Sequence, residues 1–190
     1  MNKKIILILS LLIIGVVGRI IPHPPNVTPI IAIALLASHA FKNKWIAILI
    51  PLTGMWISDL MINNYLYAGY YDKFVFFSNG SLWIYGAILF AVLIGKVLIK
   101  HIKLSTVFLS SFSASFFFFI ITNFGVWFLN YDHTLENLIT VYLLGIPFML
   151  YHMMSSVATF TMIGIPVYYG LSQTVSEEIV VERKEISKRV

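Results

Sequence analysis

Residues 3–25 read Lys3-Lys4-Ile5-Ile6-Leu7-Ile8-Leu9-Ser10-Leu11-Leu12-Ile13-Ile14-Gly15-Val16-Val17-Gly18-Arg19-Ile20-Ile21-Pro22-His23-Pro24-Pro25. Between the lysine pair and Arg19 no side chain is charged and only Ser10 is polar. A strand of a membrane barrel would alternate apolar and polar residues over about 10 positions, whereas this run is apolar on every side. Phe116-Phe117-Phe118-Phe119-Ile120-Ile121 repeats the pattern. A helix that is apolar all round belongs in an apolar surrounding. The charge order is that of a secretion signal, but the run ends in Arg19 and a proline cluster without a small-x-small cleavage site, so it reads as a first membrane span.

The rest of the chain agrees. Of 190 residues 59% are hydrophobic and 11% charged, against about 25% charged in soluble domains, and the mean hydropathy is +0.88. A spanning helix needs about 20 mostly apolar residues. The apolar runs predict spans over residues 5–18, 28–41, 45–62, 81–99 and 104–129, followed by a long run over 136–171. As one helix at 1.5 Å per residue that last run would be about 54 Å long, too long for one crossing and too short for two with a turn. Gly145 and Pro147 are expected to divide it into a short surface helix over 136–144 and a sixth span over 147–169. The expected fold is therefore an all-α integral membrane domain of six transmembrane helices, residues 1–171, with a charged cytoplasmic tail, residues 172–190. With no cysteine in the chain, disulfides and thiolate chemistry are excluded.

Basic residues in short loops mark the cytoplasmic side of a membrane protein. With six spans and an inner N-terminus, Lys3, Lys4, Lys42, Lys44, Lys96, Lys100, Lys103, Arg183, Lys184, Lys188 and Arg189 fall inside, and only Arg19 and Lys73 of the 13 lysines and arginines fall outside. Both termini are then cytoplasmic. The net charge of +5 and pI near 9.4 record this asymmetry rather than nucleic-acid binding.

Polar chemistry gathers on the predicted outer side. Arg19 and Asp59 fall near the outer ends of the first and third spans, where an ionisable residue in a membrane helix points to function or to a partner charge; a purely structural ion pair is the plain alternative. His23, Asn26 and Thr28 lie on a proline-rich loop that precedes an unusually short second span, and broken segments of this kind mark binding sites in transporters. The plain alternative is a turn followed by a helix cap. On the fifth span Phe116, Phe119, Asn123, Trp127 and Asn130 recur at offsets of three and four, an aromatic face with two amides suited to a small flat solute. The aromatic segment from Tyr65 to Phe77 reads as a lid or, more simply, as an interfacial anchor. Ser110, Ser111, Ala114 and Ser115 on the fifth span, and Ala34 and Ser38 on the second, have the spacing of close helix packing. His152 is expected to turn inward. The outer His23, His133, Asp132, Asp59 and Glu136 lack tight ligand spacing, so no metal is expected. There is no nucleotide-binding loop, serine elbow or zinc-protease motif, so neither a cofactor nor an enzyme activity is expected.

The run from Arg19 to Pro29, with Ser58-Asp59-Leu60, Thr122-Asn123-Phe124-Gly125-Val126-Trp127 and Gly145-Ile146-Pro147-Phe148, resembles an uncharacterised bacterial family of transport proteins. That family is in turn similar to the substrate-binding S components of energy-coupling factor vitamin transporters. The resemblance implies an S-component-like bundle in the bacterial inner membrane, with an outward pocket that maps here onto Arg19, His23, Asn26, Thr28, Asp59, Asn123 and Trp127. It implies a small organic solute of the vitamin or precursor class, and an energy-coupling transmembrane subunit with ATPases as partners. The first helix departs from the pattern: S components commonly carry Ala-xxx-Ala for that docking, and here only Ser10, Gly15 and Gly18 are small. Where the family has an acidic residue after its Pro-Phe pair, this chain has Tyr151-His152 and Ser155-Ser156. The rival expectation is a membrane scaffold or assembly protein of the same fold that transports nothing.

Overall fold

Hydrocarbon offers no hydrogen-bond partner, so a backbone within it must satisfy its own N–H and C=O groups by coiling into helices. The computed structural model, which describes residues 3–170, obeys this, and among the described residues every regular element is helical. The helices are α1 Lys3–Ile20, α2 Ile30–Ala40, α3 Lys44–Met61, α4 Ser81–Leu98, α5 Leu104–Asn130 and α6 Leu135–Thr159, with one wide turn, Ile62–Leu66, extending α3 and another, Phe160–Gly164, extending α6. Side chains start three of them: Asn43 accepts the N–H of Trp45 at 2.9 Å, Thr134 accepts that of Asn137 at 3.2 Å, and Thr106 accepts that of Lys103 at 3.0 Å. Four helices are long and apolar enough to cross a membrane: 44–66, 81–98, 104–130 and 135–170. This is a membrane protein. The expected tail over 172–190 lies outside the described residues.

The centre of the bundle is its shortest helix. α2 has 11 residues, of which the nine from Ile30 to Ser38 are buried, and it touches α1, α3, α4, α5 and α6. At 1.5 Å per residue it is about 16 Å long, half the hydrocarbon thickness of about 30 Å. Lipid tails are as apolar as leucine, so such a helix is held by close fit rather than by escape from water. The small residues supply the fit. A Cβ added at Gly95 of α4 would run into Ser38 Oγ and lie 3.0 Å from the Leu35 Cα, and Gly15 of α1 gives the same room to Ile33 and Ile30. Ser110, Ser111, Ala114 and Ser115 are buried on α5, and Ser156 of α6 donates to Ser111 at 3.2 Å. At the far end of α2, Lys96 Nζ donates to the carbonyls of Ser38 and Phe41 at 3.4 Å each, placing a cation against the negative end of the helix dipole.

One expectation fails. There is no surface helix over 136–144 separated from a sixth span, since residues 135–170 form one apolar helical run of 36 residues. Pro147 lies inside α6, where it forfeits a single backbone hydrogen bond. Contacts with α5 hold the helix through that point. Gly145 is a notch rather than a break: a Cβ there would meet the Asn123 amide and lie 2.8 Å from the Phe119 ring, while the Tyr142 hydroxyl donates to the Ile120 carbonyl at 2.8 Å. At about 54 Å the run reaches past the hydrocarbon even at about 40° of tilt.

Candidate functional site

Where α2 stops short, a cavity of about 430 Å³ remains between the N-terminal end of α2 and the surrounding helices. Three local features bring its polar groups together. The loop after α1 turns at Pro24, whose carbonyl accepts the N–H of Val27 at 3.1 Å, and the turn places Asn26 at φ 62°, a left-handed conformation that asparagine tolerates better than most residues. Gly18 packs on Pro29, the residue that precedes α2, so Arg19 arrives beside the start of that helix. From the other side Ser155 of α6 donates to the Thr28 carbonyl at 3.0 Å, which brings His152, one turn earlier, to the same place.

Arg19 Nη1 lies 2.8 Å from Asp59 Oδ1, with the side chains 16% and 12% exposed. The same nitrogen contacts Met55 through its carbonyl, at 3.4 Å, and its sulfur. Tyr85 donates to the second carboxylate oxygen, Asp59 Oδ2, at 3.0 Å. Among the described residues all partners of the guanidinium are reached through Nη1, and Arg19 lines the cavity while Asp59 does not. Asp59 therefore stands behind Arg19 and orients it. The pair expected from the sequence is present, and one of its members faces the cavity.

Four of the seven expected residues, Arg19, Asn26, Thr28 and Asn123, line the cavity. Thr28 also accepts the N–H of Ile30 at 3.3 Å, while the cap position of α2 itself is held by Pro29. Asn123 Nδ2 donates back to the Phe119 carbonyl of its own helix at 2.9 Å, and its oxygen has no hydrogen bond to another helix among the described residues. His23 and Trp127 are elsewhere. The His23 ring is exposed and closes on its own loop, 2.8 Å from the Pro24 carbonyl and 3.3 Å from that of Arg19. Trp127 donates to the Thr134 carbonyl at 3.2 Å and packs on Phe124 and His133.

The expected face of α5 is thus displaced. Phe116 is 40% exposed on the outside of the bundle, and Phe118, Thr122, Asn123 and Val126 line the cavity instead. Phe118, Thr122 and Val126 recur at four-residue steps, a pattern readable from the sequence but not distinguished there from the brighter Phe116-to-Trp127 series. His152 does turn inward. It is 3% exposed, lines the cavity, and sets its ring edge-on to Phe118 with centroids 4.4 Å apart. Among the described residues neither of its ring nitrogens has a hydrogen-bond partner. The aromatic segment after α3 does not roof the cavity. It is pinned by Asn64, which exchanges hydrogen bonds of 2.9 and 2.7 Å with the backbone of Val75, and most of its rings are exposed.

Apart from Tyr131 the remaining lining is apolar, from Met55, Ile84, Ile88, Val141, Leu144 and Phe148 among others, and holds no carboxylate. An apolar hollow with a few convergent polar groups is the usual make-up of a small-molecule site. Gly145→Ala should displace the Asn123 amide and the Phe119 ring, which an added Cβ would meet; a lower melting temperature together with loss of ligand-induced stabilisation in a thermal melt checks this. No curated protein and no solved structure matches the chain. A family model described as a family of unknown function, DUF6580, matches residues 1–178. That match spans nearly all of the 190 residues, and the chain therefore belongs to the DUF6580 family.

Proposed function

We propose that this membrane protein captures a small organic solute, in the manner of a transporter's solute-binding subunit, within the cavity at the start of α2. The observation that carries the reading is the convergence of Arg19, Asn26, Asn123 and His152 on one apolar hollow of about 430 Å³, at the end of a helix too short to fill the bundle. In this reading α1 to α6 are six spans with both termini in the cytoplasm of a bacterial cell, α2 crosses half the bilayer, and the cavity faces outward. The solute belongs to the vitamin or precursor class. An energy-coupling subunit, on this view, docks elsewhere than on the α1 glycines, since Gly15 and Gly18 are turned against Ile33 and Pro29.

Protein extracted in mild detergent should release a small molecule to mass spectrometry. It should also melt later with at least one member of a vitamin and precursor panel: a ligand at a hundred times its Kd adds about 2.7 kcal/mol. No released molecule and no shift across the panel would leave the scaffold reading in its place. Asn123→Ala should weaken binding while costing about 0.6 kcal/mol of stability or less, the average for a polar contact between membrane helices, because its amide bonds only within α5. Equal affinity in the variant would remove Asn123 from the site. The orientation is checked by cysteines placed at Lys42, Asn79 and Ser172. In intact cells an impermeant reagent should label Asn79→Cys alone, and labelling of Ser172→Cys would reverse the topology.

A further inference from the structure

No polar group of the cavity carries negative charge, and one carries positive charge: Arg19 presents a guanidinium whose Nε and Nη2 have no partner among the described residues, and no carboxylate lines the wall. The cavity also lies over the N-terminus of α2, and the first amides of a helix have no acceptor within it. The Ile30 amide is taken by Thr28. Those of Ile31 and Ala32 have no acceptor among the described residues, but both residues are buried and of α2 only Ile30 lines the cavity, so the helix end acts there through its field. A helix start behaves as roughly half a positive charge and attracts anions. His152, 3% exposed and lining the cavity, completes the set: it has no hydrogen-bond partner among the described residues, so its ring nitrogens are open to a group bound there.

We infer that the solute carries a single carboxylate, seated between Arg19, the start of α2 and His152, with an apolar body lying against Phe118, Leu144 and Phe148. This deepens the solute-capture reading and rests on it. The charge count decides between one negative charge and two. Arg19 is already half satisfied by Asp59 at 2.8 Å, so the pair is formally neutral, and the helix end adds only about half a charge. That offsets about half of a carboxylate's charge but only about a quarter of a phosphate dianion's, so the site favours the single charge. A guanidinium with two donors still open suits a carboxylate's two oxygens. Asp59 then has a second effect: it competes with the solute for Arg19, holding affinity below what the cation alone would give.

The test uses the full chain in lipid nanodiscs and three probes of one shape, phenylacetate, its neutral amide phenylacetamide, and the cation phenethylamine, alongside mass spectrometry of whatever co-purifies. The carboxylate should bind at least tenfold more tightly than the amide or the amine, and a co-purified molecule should be a monoanion at neutral pH. Arg19→Gln should remove most of the carboxylate's advantage over the amide. Because that variant strands Asp59 and could fail to fold, Asp59→Asn is measured beside it: it retains Arg19, frees it from its competitor, and should bind phenylacetate several-fold more tightly than the parent. Amide or amine binding as tight as the acid, or a neutral or cationic co-purified molecule, would overturn the carboxylate while leaving solute capture standing. Absence of any bound molecule and of any probe binding would overturn both.

Discussion

Arg19→Leu is expected to lower the stability of the protein by about 3–5 kcal/mol, the usual result of removing one partner of a buried ion pair. Asp59 is left only 12% exposed, with Tyr85 as its remaining hydrogen-bond donor, and a carboxylate held that way must be desolvated without a counter-charge. The double variant Arg19→Leu with Asp59→Leu should regain most of the loss, because two matched apolar side chains in place of a buried pair are often neutral or better. Unfolding of the parent, both single variants and the double variant in the same detergent completes a double-mutant cycle, with a coupling of at least about 3 kcal/mol expected, since the double variant regains most of the single-variant loss. A single-variant cost below about 1 kcal/mol would make the contact an ordinary solvated surface pair.

The second large effect concerns the fit of α2 against α4. Gly95→Ala adds one methyl group where the neighbours are Ser38 Oγ and the backbone of Leu35, the latter at 3.0 Å. Backbone does not step aside as a flexible side chain does, so the helices must separate. Overpacking of this kind costs about 1–3 kcal/mol, and Gly95→Val should cost more. Thermal unfolding in detergent should show both losses. Gly86 on the same helix, with nothing within 4 Å of an added Cβ, is the control and should accept alanine without loss. Equal behaviour at the two glycines would mean that α2 and α4 are not in this contact.

Much of the helix plan was legible in the sequence because the loss of water leaves so few choices. Residues 81–99 and 104–129 were expected as spans and form α4 and α5 almost residue for residue. The Arg19–Asp59 pair was legible for a related reason, since a charge in a membrane helix seeks an opposite one. The departures have separate causes. Gly145 and Pro147 predict a break on penalties that hold for a helix standing alone; here α5 packs along both sides of the point and keeps α6 whole. The cavity face of α5 was misplaced because lipid is as apolar as a protein core, so Phe116, facing outward, and Phe118, facing the cavity, are alike in sequence. Only Asn123, whose amide is costly in hydrocarbon, marked the correct side. His23 and Trp127 were drawn in by their chemistry, but the loop and the helix end that carry them satisfy their polar atoms locally.

The shortness of α2 also bears on how the molecule is assembled. Membrane helices are commonly inserted one by one as independently stable spans that associate afterwards. A helix of 11 residues cannot be such a span, and nine of them are covered by protein. Its lodging does not exist until α3 and α4 on one side and α5 and α6 on the other have come together. If the six helices are the spans proposed above, the segment between α1 and α3 is expected to wait while residues 44–159 are made, and to be seated last. Damage to Gly95 or Ser38 would then appear in the cell first as a protein that is made and degraded, before it appears as one that fails to bind.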